Sequence, residues 1–249
     1  MIAVISPAKT LDYDTALPDV EPTVPCFAAE ATSLARSAAR LPQKRLRELM
    51  GISSALAKLN HDRFAGFADA PERPALFAFA GDVYHGLDAA TLDEPSIRFA
   101  QDHLRMLSGL YGLLRPLDLM RPYRLEMGTR WAPRQARLTD WWGDRIARAL
   151  IDDLAHDDTR AVLNLASHEY WAAIDGRLPA DVRVIAADFR EGRERRFVSF
   201  SAKRARGAMA RWLVEHRVAR PEDMRAFDWE GYRFDASESD SGRWRFVRD

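Results

Sequence analysis

A single large domain of mixed α/β (α+β) class, built around a mixed sheet, is predicted for residues 1–249. Several short apolar stretches have the length and the β-branched or aromatic content of buried strands. Stretches with the helical spacing of apolar residues alternate with them, an order typical of a sheet covered by helices. The stretches predicted as strands are 2–6, 75–84, 160–167, 182–189 and 195–202.

Helical structure is predicted in four stretches of the sequence. Residues 27–64 have the pattern of short helices interrupted at Pro42 and Gly51, and we predict that they form a helical insertion in the domain. The other helices are predicted at 97–114, 139–155 and 205–213. Proline-rich residues 17–25 are predicted as a loop, and a terminal hairpin is predicted with its turn at 236–242.

Composition narrows the class of protein. Lys+Arg and Asp+Glu both number 37, so the chain is neutral and any polyanion site must come from local segregation of charge. Cys26 is the single cysteine, which excludes an internal disulfide bond and a cysteine-based zinc or iron–sulfur cluster. No histidine pair has ligand spacing, so we expect no metal site and no cofactor.

The N-terminus lacks the pattern of a signal peptide. No stretch of the sequence reaches the ~20 apolar residues that span a bilayer. We therefore expect a soluble, cytoplasmic monomer that has no membrane partner.

The stretch LRPLDLMRPYRLEMG contains three arginines that could form an anion site. Arg115 and Arg121 each precede a proline, which pushes the backbone toward extended geometry, and Arg124 follows closely. A stiff backbone with spaced guanidinium groups suits phosphate or carboxylate, since little entropy is lost on binding. The alternative is that the arginines pair with Asp118 and Glu126 and only fix a loop.

A second candidate site is LRELMGISSALAKL, which fits a helix-hairpin-helix template. That template has glycine, an aliphatic residue and glycine, then three residues and alanine, and its turn presents backbone N–H groups to phosphate. Ser53 replaces the second glycine, and the alternative is an ordinary helical hairpin with a glycine at a helix end. The predicted DNA-binding residues are Arg45, Arg47, Gly51, Ile52, Ser53, Ser54 and Lys58.

Positive charge is concentrated in residues 190–220, where ten Lys+Arg stand against three Asp+Glu, a net charge of +7. Within KRARGAMARW, the basic residues fall on the helix face opposite the apolar stripe. Gly207 is unfavourable inside a helix by about 1 kcal/mol relative to alanine, which suggests close approach of a ligand or another backbone. The alternative is a solvated basic face.

Polar side chains also follow the predicted strands, where α/β proteins place ligand sites. SPAKT leaves the first strand and supplies two hydroxyls and a cation, and NLASHEY leaves a later strand. The residues of this candidate polar pocket are Asp82, Tyr84, Asn164, Ser167, Glu169 and Tyr170.

Five stretches together resemble the YaaA family of bacterial peroxide-stress proteins: SPAKTLDY, GDVYHGL, HLRMLSGLYGLLRPLDLMRPYRLEMG, NLASHEY and FSAKRARGAMARW. The resemblance runs from Met1 to the C-terminal GYRFD, so it covers essentially the whole chain. It implies one mixed α/β fold with a helix-hairpin-helix element and a positively charged cleft. It also implies binding of duplex DNA and a role in limiting free intracellular iron and DNA damage during hydrogen peroxide stress.

The resemblance further implies that the basic cleft draws its residues from segments far apart in sequence. The residues expected to line it are Ser6, Lys9, Thr10, Arg115, Arg121, Arg124, Lys203, Arg204 and Arg206.

Two functions of different class follow. The first is a DNA-binding protein without sequence specificity, with double-stranded DNA as its partner and an affinity that falls as salt rises. The second is an enzyme that acts on a nucleotide, nucleoside or nucleic-acid base, in which a buried Lys9 or Glu169 would serve as acid or base. A deep pocket would favour the enzyme, and a groove as wide as a duplex would favour the DNA clamp.

Overall fold

Buried strands form the centre of the molecule. The computed structural model describes residues 1–155 and 157–249, and its strands are β1 (Ile2–Ile5), β2 (Thr10–Leu11), β3 (Arg73–Pro74), β4 (Phe79–Ala80), β5 (Leu104–Ser108), β6 (Gly112–Leu114), β7 (Leu119–Met120), β8 (Ala161–Leu165), β9 (Arg183–Glu191), β10 (Arg233–Asp235) and β11 (Arg243–Arg248). Seven of these described strands form one sheet, in the order β10-β11-β9-β8-β1-β5-β6. The five inner strands are parallel, whereas the edge strands β6 and β10 are antiparallel to their neighbours.

Helices cover this sheet. They are α1 (Ala28–Ala38), α2 (Gln43–Met50), α3 (Ser54–Ala65), α4 (Ala75–Ala78), α5 (Asp82–Leu87), α6 (Glu94–His103), α7 (Leu138–Trp142), α8 (Arg145–Leu154), α9 (His168–Trp171) and α10 (Ser199–Glu215). Helix α10 packs across β1, β8 and β9, and α6 packs across β1 and β5. Because every residue of β1 is buried, both faces of the sheet are covered at its centre. The predicted mixed α/β class is confirmed, in one compact domain.

The helical segment predicted at 27–64 corresponds to α1, α2 and α3, the last of which ends one residue later, at Ala65. Helix α1 buries Ala31, Leu34 and Ala38 in the common core, while α2 and α3 contact each other as a helical hairpin. That this segment is an insertion, and that its hairpin is a DNA-binding helix-hairpin-helix element, stay predictions.

Several other predicted elements are confirmed. The stretches 2–6 and 160–167 contain β1 and β8, and 182–189 covers all of β9 except its last two residues. The helix predicted at 205–213 lies within the longer α10. The terminal hairpin is formed by antiparallel β10 and β11. The helix predicted at 139–155 is divided into α7 and α8 at Gly143, where φ is +52°.

The helix predicted at 97–114 is wrong beyond His103, where α6 ends and the chain continues as β5 and then β6. All of Leu104–Ser108 is buried, because β5 lies between two other strands with both of its faces covered. Such a strand is a continuous apolar run, and a continuous run also satisfies helical spacing. Gly112, with φ +68°, lets the chain reverse between the two strands.

Two predicted strands are also wrong. Residues 75–84 form the single turn α4, the two-residue strand β4 and the start of α5, because a short apolar run does not distinguish a buried strand from a buried helix. Residues 195–202 lead into α10, which begins at Ser199. The aromatic residues Phe197 and Phe200 are exposed there, so they did not mark the buried face of a strand.

The expectation that Arg115 lies beside Lys9 is wrong, because β6 is antiparallel to β5. Leu114 pairs with Met106, so Arg115 lies toward the amino ends of the parallel strands. Lys9 follows the carboxyl end of β1, at the opposite edge of the sheet.

At the amino ends of the parallel strands, Arg115 and the buried Arg105 both pair with the carboxylate of Asp153. Asp153 Oδ2 accepts a hydrogen bond from Arg105 Nε at 2.6 Å, and its Oδ1 lies 2.8 Å from a terminal nitrogen of Arg115. Arg105 has a side chain only 3% exposed, whereas that of Arg115 is 48% exposed. Burial acts to raise the pKa of Asp153, but hydrogen bonds and charge from the two arginines outweigh it and lower the pKa.

Helices α5 and α10 approach each other unusually closely. A Cβ atom on Gly86 would lie 2.0 Å from the carbonyl oxygen of Arg204, and one on Gly207 would lie 1.7 Å from that of Val83. Both contacts are with backbone atoms, so rotation of a side chain cannot relieve them. The close approach suggested by Gly207 is therefore made by another helix.

Replacing Gly207 with alanine should destabilise the fold despite the better helix propensity of alanine. The new methyl group overlaps the α5 backbone, and overpacking of this kind costs about 1–3 kcal/mol. Urea denaturation measures the change, with Gly66→Ala as the control, because its Cβ would lie at an ordinary 3.5 Å from the Asp62 carbonyl oxygen. Equal stability of Gly207→Ala and the unmodified protein would contradict the packing described.

Replacing Asp153 with asparagine should destabilise the fold by about 3–5 kcal/mol at neutral pH, because it leaves buried Arg105 without a countercharge. The folded-state pKa of Asp153 is depressed, so its contribution is complete above the ordinary carboxyl value of about 4 and is lost as pH falls through the folded value. The free-energy difference between the two proteins should therefore shrink in acid. Arg115→Ala is the matched control and should cost under about 1 kcal/mol; a larger loss for it than for Asp153→Asn would refute this account.

Candidate functional site

Two loops meet at the carboxyl ends of the parallel strands. Because β1 and β8 are parallel neighbours, the residues after Ile5 and after Leu165 leave the sheet at the same edge. Ser6 Oγ accepts the backbone N–H of Ser167 at 2.9 Å, and the two hydroxyl oxygens are 3.3 Å apart. The polar residues predicted to follow these strands are thus brought together.

Helices α5 and α10 supply the opposite wall. Tyr84 donates its hydroxyl to the carbonyl oxygen of Ser6 at 3.2 Å, and burial raises the pKa of Tyr84 well above its ordinary value. Lys203 Nζ lies 3.6 Å from a carboxylate oxygen of Asp82. The glycine contact between the two helices therefore sets the distance between these side chains.

The walls enclose a cleft of about 440 Å³, within the volume range of small-molecule sites. Five of the six polar-pocket residues and five of the nine basic-cleft residues predicted from sequence line it. Those residues are Ser6, Lys9, Thr10, Asp82, Tyr84, Ser167, Glu169, Tyr170, Lys203 and Arg206.

A buried carboxylate borders the cleft beside Lys9. Glu126 is only 9% exposed, and its Oε1 accepts a hydrogen bond from Arg124 Nε at 2.9 Å and lies 3.6 Å from Lys9 Nζ. Its Oε2 is buried and has no hydrogen-bond partner in the described chain. Arg124 thus makes the pairing with Glu126 that was given as the alternative to an anion site, and its side chain is not part of the cleft lining.

Arg206 presents a second buried polar atom without a partner. Its Nε is shielded from solvent and makes no hydrogen bond to any described residue. Desolvation lowers the pKa of Arg206, and the charge of Asp188 acts in the opposite direction. Arg206 lines the cleft, so an unpartnered donor lies in its wall. Glu126 lies behind Lys9 and is not part of the lining.

Besides Arg115 and Arg124, three residues predicted for the basic cleft or the polar pocket lie outside the cleft lining. Arg121 pairs with Glu72 at 3.0 Å, and Arg204 pairs with Glu230 at 3.3 Å. Asn164 is buried, and its side-chain oxygen accepts the N–H of Ala166 at 2.9 Å. Asn164 thus shapes the loop after β8 and does not line the space that the loop borders.

Lys9 and Glu169 are exposed at the rim, so the expectation of a buried acid or base at these positions is wrong. Lys9 lies in the loop after β1 and Glu169 lies in the short helix α9, where water reaches both side chains. The buried carboxylate near the cleft is Glu126, which the sequence reasoning treated only as an ion-pair partner. The sequence signal for Glu126 was its position two residues after Arg124 and two residues before Gly128, which contacts Glu169.

The hairpin of α2 and α3 has a well-defined turn. Gly51 adopts φ +59° at the end of α2, and Ser53 begins α3 with its hydroxyl accepting the N–H of Leu56 at 3.3 Å. Ile52 is buried between them. The conformation at Gly51 requires glycine, in agreement with the glycine helix end proposed as the alternative.

The basic side chains of the hairpin form a hydrogen bond or an ion pair with neighbouring side chains. Arg47 donates to Ser54 Oγ at 3.3 Å, and Lys58 Nζ lies 2.6 Å from Asp62. Arg45 lies 3.7 Å from Glu48 across one helical turn. All three cations are surface groups, so these ion pairs leave them available to a stronger anion.

A shallow depression joins the hairpin to the cleft. Arg45 and Glu48 of α2 line it together with Gly128 and Arg130. Gly128 in turn donates its N–H to Glu169 Oε1 at 3.2 Å. Since Glu169 lines the cleft, this hydrogen bond places the depression next to the cleft rim. The sequence reasoning missed Gly128 and Arg130.

Two further observations concern metals and membranes. Among residues 1–155 and 157–249, no group of three or more His, Cys, Asp or Glu side chains is arranged to hold a metal ion. In the same described ranges, no helix is both long and apolar enough to cross a membrane.

Comparisons with known proteins agree with this architecture along the whole chain. A family model described as "Peroxide stress protein YaaA" matches residues 1–238. A UPF0246 protein of Rhizorhabdus wittichii is 55% identical over 251 residues, covering 100% of this chain and 99% of its own. Those of Paracidovorax citrulli and Hahella chejuensis are 50% and 45% identical over 256 residues, covering 100% of this chain and 98% and 100% of theirs. The chain thus belongs to the YaaA (UPF0246) family of peroxide stress proteins.

Proposed function

We propose that this protein binds duplex DNA without sequence specificity and protects it from oxidative damage during hydrogen peroxide stress. The observation that carries the proposal is that the depression lined by Arg45, Arg130 and Gly128 lies between the hairpin and the cleft rim. Separate basic patches would each hold one phosphate weakly, whereas a continuous surface follows the spaced phosphates of a strand.

The hairpin contacts phosphate through its backbone as well as its side chains. The first N–H groups of a helix lack acceptors within that helix. Ser53 satisfies the N–H of Leu56, which leaves those of Ser54 and Ala55 directed at an anion with the helix dipole behind them. Arg47 and Lys58 add charge at either side of this end of α3.

We propose also that the protein helps to limit free intracellular iron, a role that rests on the family resemblance. Whole-cell measurement of chelatable iron during a peroxide challenge tests it: cells that lack the protein should hold more. An unchanged iron level would remove this part of the proposal and leave DNA binding untouched.

Charge reversal of the hairpin should weaken duplex binding uniformly across sequences. In the double variant Arg45→Glu and Lys58→Glu, two phosphate contacts are lost, so the slope of log affinity against log salt should flatten by about 0.9 per contact. Fluorescence anisotropy with two unrelated labelled duplexes at several salt concentrations measures both quantities.

The matched control for this variant is Arg98→Glu on α6. Arg98, like Lys58, is exposed and pairs with a carboxylate one turn away in its own helix. It lines a depression with Asp19 and Glu21, remote from the hairpin in the fold. An equal loss of binding free energy per reversed charge in the control would show that total charge, and not the hairpin, governs binding.

A second candidate function, an enzyme that acts on a nucleotide, nucleoside or nucleic-acid base, is favoured by the unpartnered atoms at the cleft. Glu126 Oε2 and Arg206 Nε are buried polar atoms, and leaving such atoms unsatisfied costs about 1–3 kcal/mol each. A ligand that donates to the carboxylate and accepts from the guanidinium would relieve both. A cleft of about 440 Å³ suits one nucleotide and not a duplex.

Replacing Glu126 with glutamine should lower the affinity of the cleft for a nucleoside monophosphate by about tenfold or more, the scale of a hydrogen bond to a charged group. Isothermal titration calorimetry with the four common deoxynucleoside monophosphates measures it, and circular dichroism confirms the fold. Glu94→Gln, an exposed carboxylate on α6, is the control. The cleft proposal fails if none of the nucleotides binds the unmodified protein, or if the two variants bind alike.

A further inference from the structure

Two large aromatic side chains are exposed just before and at the start of α10. Phe197 is 50% exposed and Phe200 is 57% exposed, with Val198 between them at 39%. Elsewhere in the described chain, the exposed large hydrophobic residues are aliphatic: Leu17, Val24, Leu56 and Leu59. We name Phe197, Val198 and Phe200 the aromatic strip.

Each ring of the aromatic strip has an arginine across it. The guanidinium carbon of Arg190 lies 5.6 Å from the Phe197 ring centre, and that of Arg204 lies 6.0 Å from the Phe200 ring centre. Residues 190–206 contain seven Lys+Arg and two Asp+Glu, a net charge of +5. Exposed rings interleaved with cations at this density match a polyanion that also offers flat apolar surfaces.

The strip is continuous with the cleft. Phe200 lies three residues before Lys203 on α10, so the two side chains occupy neighbouring positions on one helix face. Lys203 lines the cleft. The strip therefore extends away from the cleft beyond Lys203, along the helix that forms one of the cleft walls.

We infer that the aromatic strip binds single-stranded DNA, with unpaired bases stacked on Phe197 and Phe200 and phosphates held by the surrounding arginines and Lys203. The inference deepens the proposed DNA binding, because it assigns unpaired strands to this surface and duplex to the hairpin. When a DNA strand is bound along the strip, its next nucleotide lies toward the cleft.

Unpaired DNA fits these features better than other partners do. Every base has a face that stacks on an aromatic ring, but in a duplex those faces are covered by neighbouring bases. Insertion into a lipid bilayer would carry the arginines that lie across the rings into the apolar layer, which is unfavourable. The two glutamates of the segment, Glu191 and Glu194, leave the excess charge positive, as an anionic strand requires.

The test compares one double variant with one double control. Phe197→Ala with Phe200→Ala removes both rings, whereas Leu17→Ala with Val24→Ala removes exposed apolar side chains elsewhere. Fluorescence anisotropy is recorded at one salt concentration with labelled oligothymidine and with a mixed-sequence duplex of the same length. Stacking is worth about fivefold or more in affinity per base, so the ring variant should bind oligothymidine at least about 25-fold more weakly. Its affinity for duplex should change by less than about twofold.

A third variant distinguishes the loss of base stacking from a loss of the fold. Phe197→Trp with Phe200→Trp keeps aromatic surface and should retain the affinity for oligothymidine. Equal loss of single-stranded and duplex binding in the alanine variant, or no loss of either, would overturn the inference. So would loss of sedimentation with phosphatidylserine vesicles while oligothymidine binding persists, since the strip would then be a membrane surface.

The same measurements distinguish this inference from the proposed function. If the unmodified protein fails to bind duplex, but binds oligothymidine in a ring-dependent way, the strip stands and duplex protection falls. If the hairpin variant loses duplex binding while the ring variant binds both probes as the unmodified protein does, duplex binding stands and the strip falls.

Discussion

The contact between α5 and α10 is the constraint on which the candidate site depends. Gly86 and Gly207 let two helix backbones touch, at a distance that a single methyl group on either would prevent. That contact holds Asp82 and Tyr84 of one helix opposite Lys203 and Arg206 of the other. Since α10 also packs across the central strands, the pair of helices is fixed relative to the strand ends that form the other wall.

The strand ends contribute the second constraint. Parallel pairing of β1 with β8 directs Ser6 and Ser167 to one edge, where they hydrogen-bond to each other. Tyr84 then bonds to the backbone of Ser6 and links the two walls. Several charges of the resulting cleft have partners in the protein, Lys203 with Asp82 and Lys9 with Glu126, whereas Arg206 Nε is buried without one.

The basic surfaces differ in what surrounds their charges. On the hairpin, cations pair with nearby carboxylates in water and no aromatic ring accompanies them, so their contribution is electrostatic and sensitive to salt. Around the aromatic strip, arginines lie across exposed rings, which adds a surface that bases can stack on. At the amino edge of the sheet, Arg105 and Arg115 are bound to Asp153 and serve the fold. A count of arginines does not separate these roles, but their neighbours do.

The sequence by itself determined the class of fold, the strands β1, β8 and β9, the helix α10 and the family, because apolar periodicity and long motifs are local properties. It also marked most of the residues that line the cleft, since polar side chains that follow buried strands collect at one edge of a parallel sheet. It could not give the direction of β6, which depends on pairing between strands and places Arg115 at the far edge. Nor could it distinguish buried Glu126 from exposed Lys9 and Glu169, or show that Gly207 packs against the backbone of α5. Burial and contact between distant segments are decided only when the chain packs, because the free energy of a buried charge depends on neighbours that the local sequence does not contain.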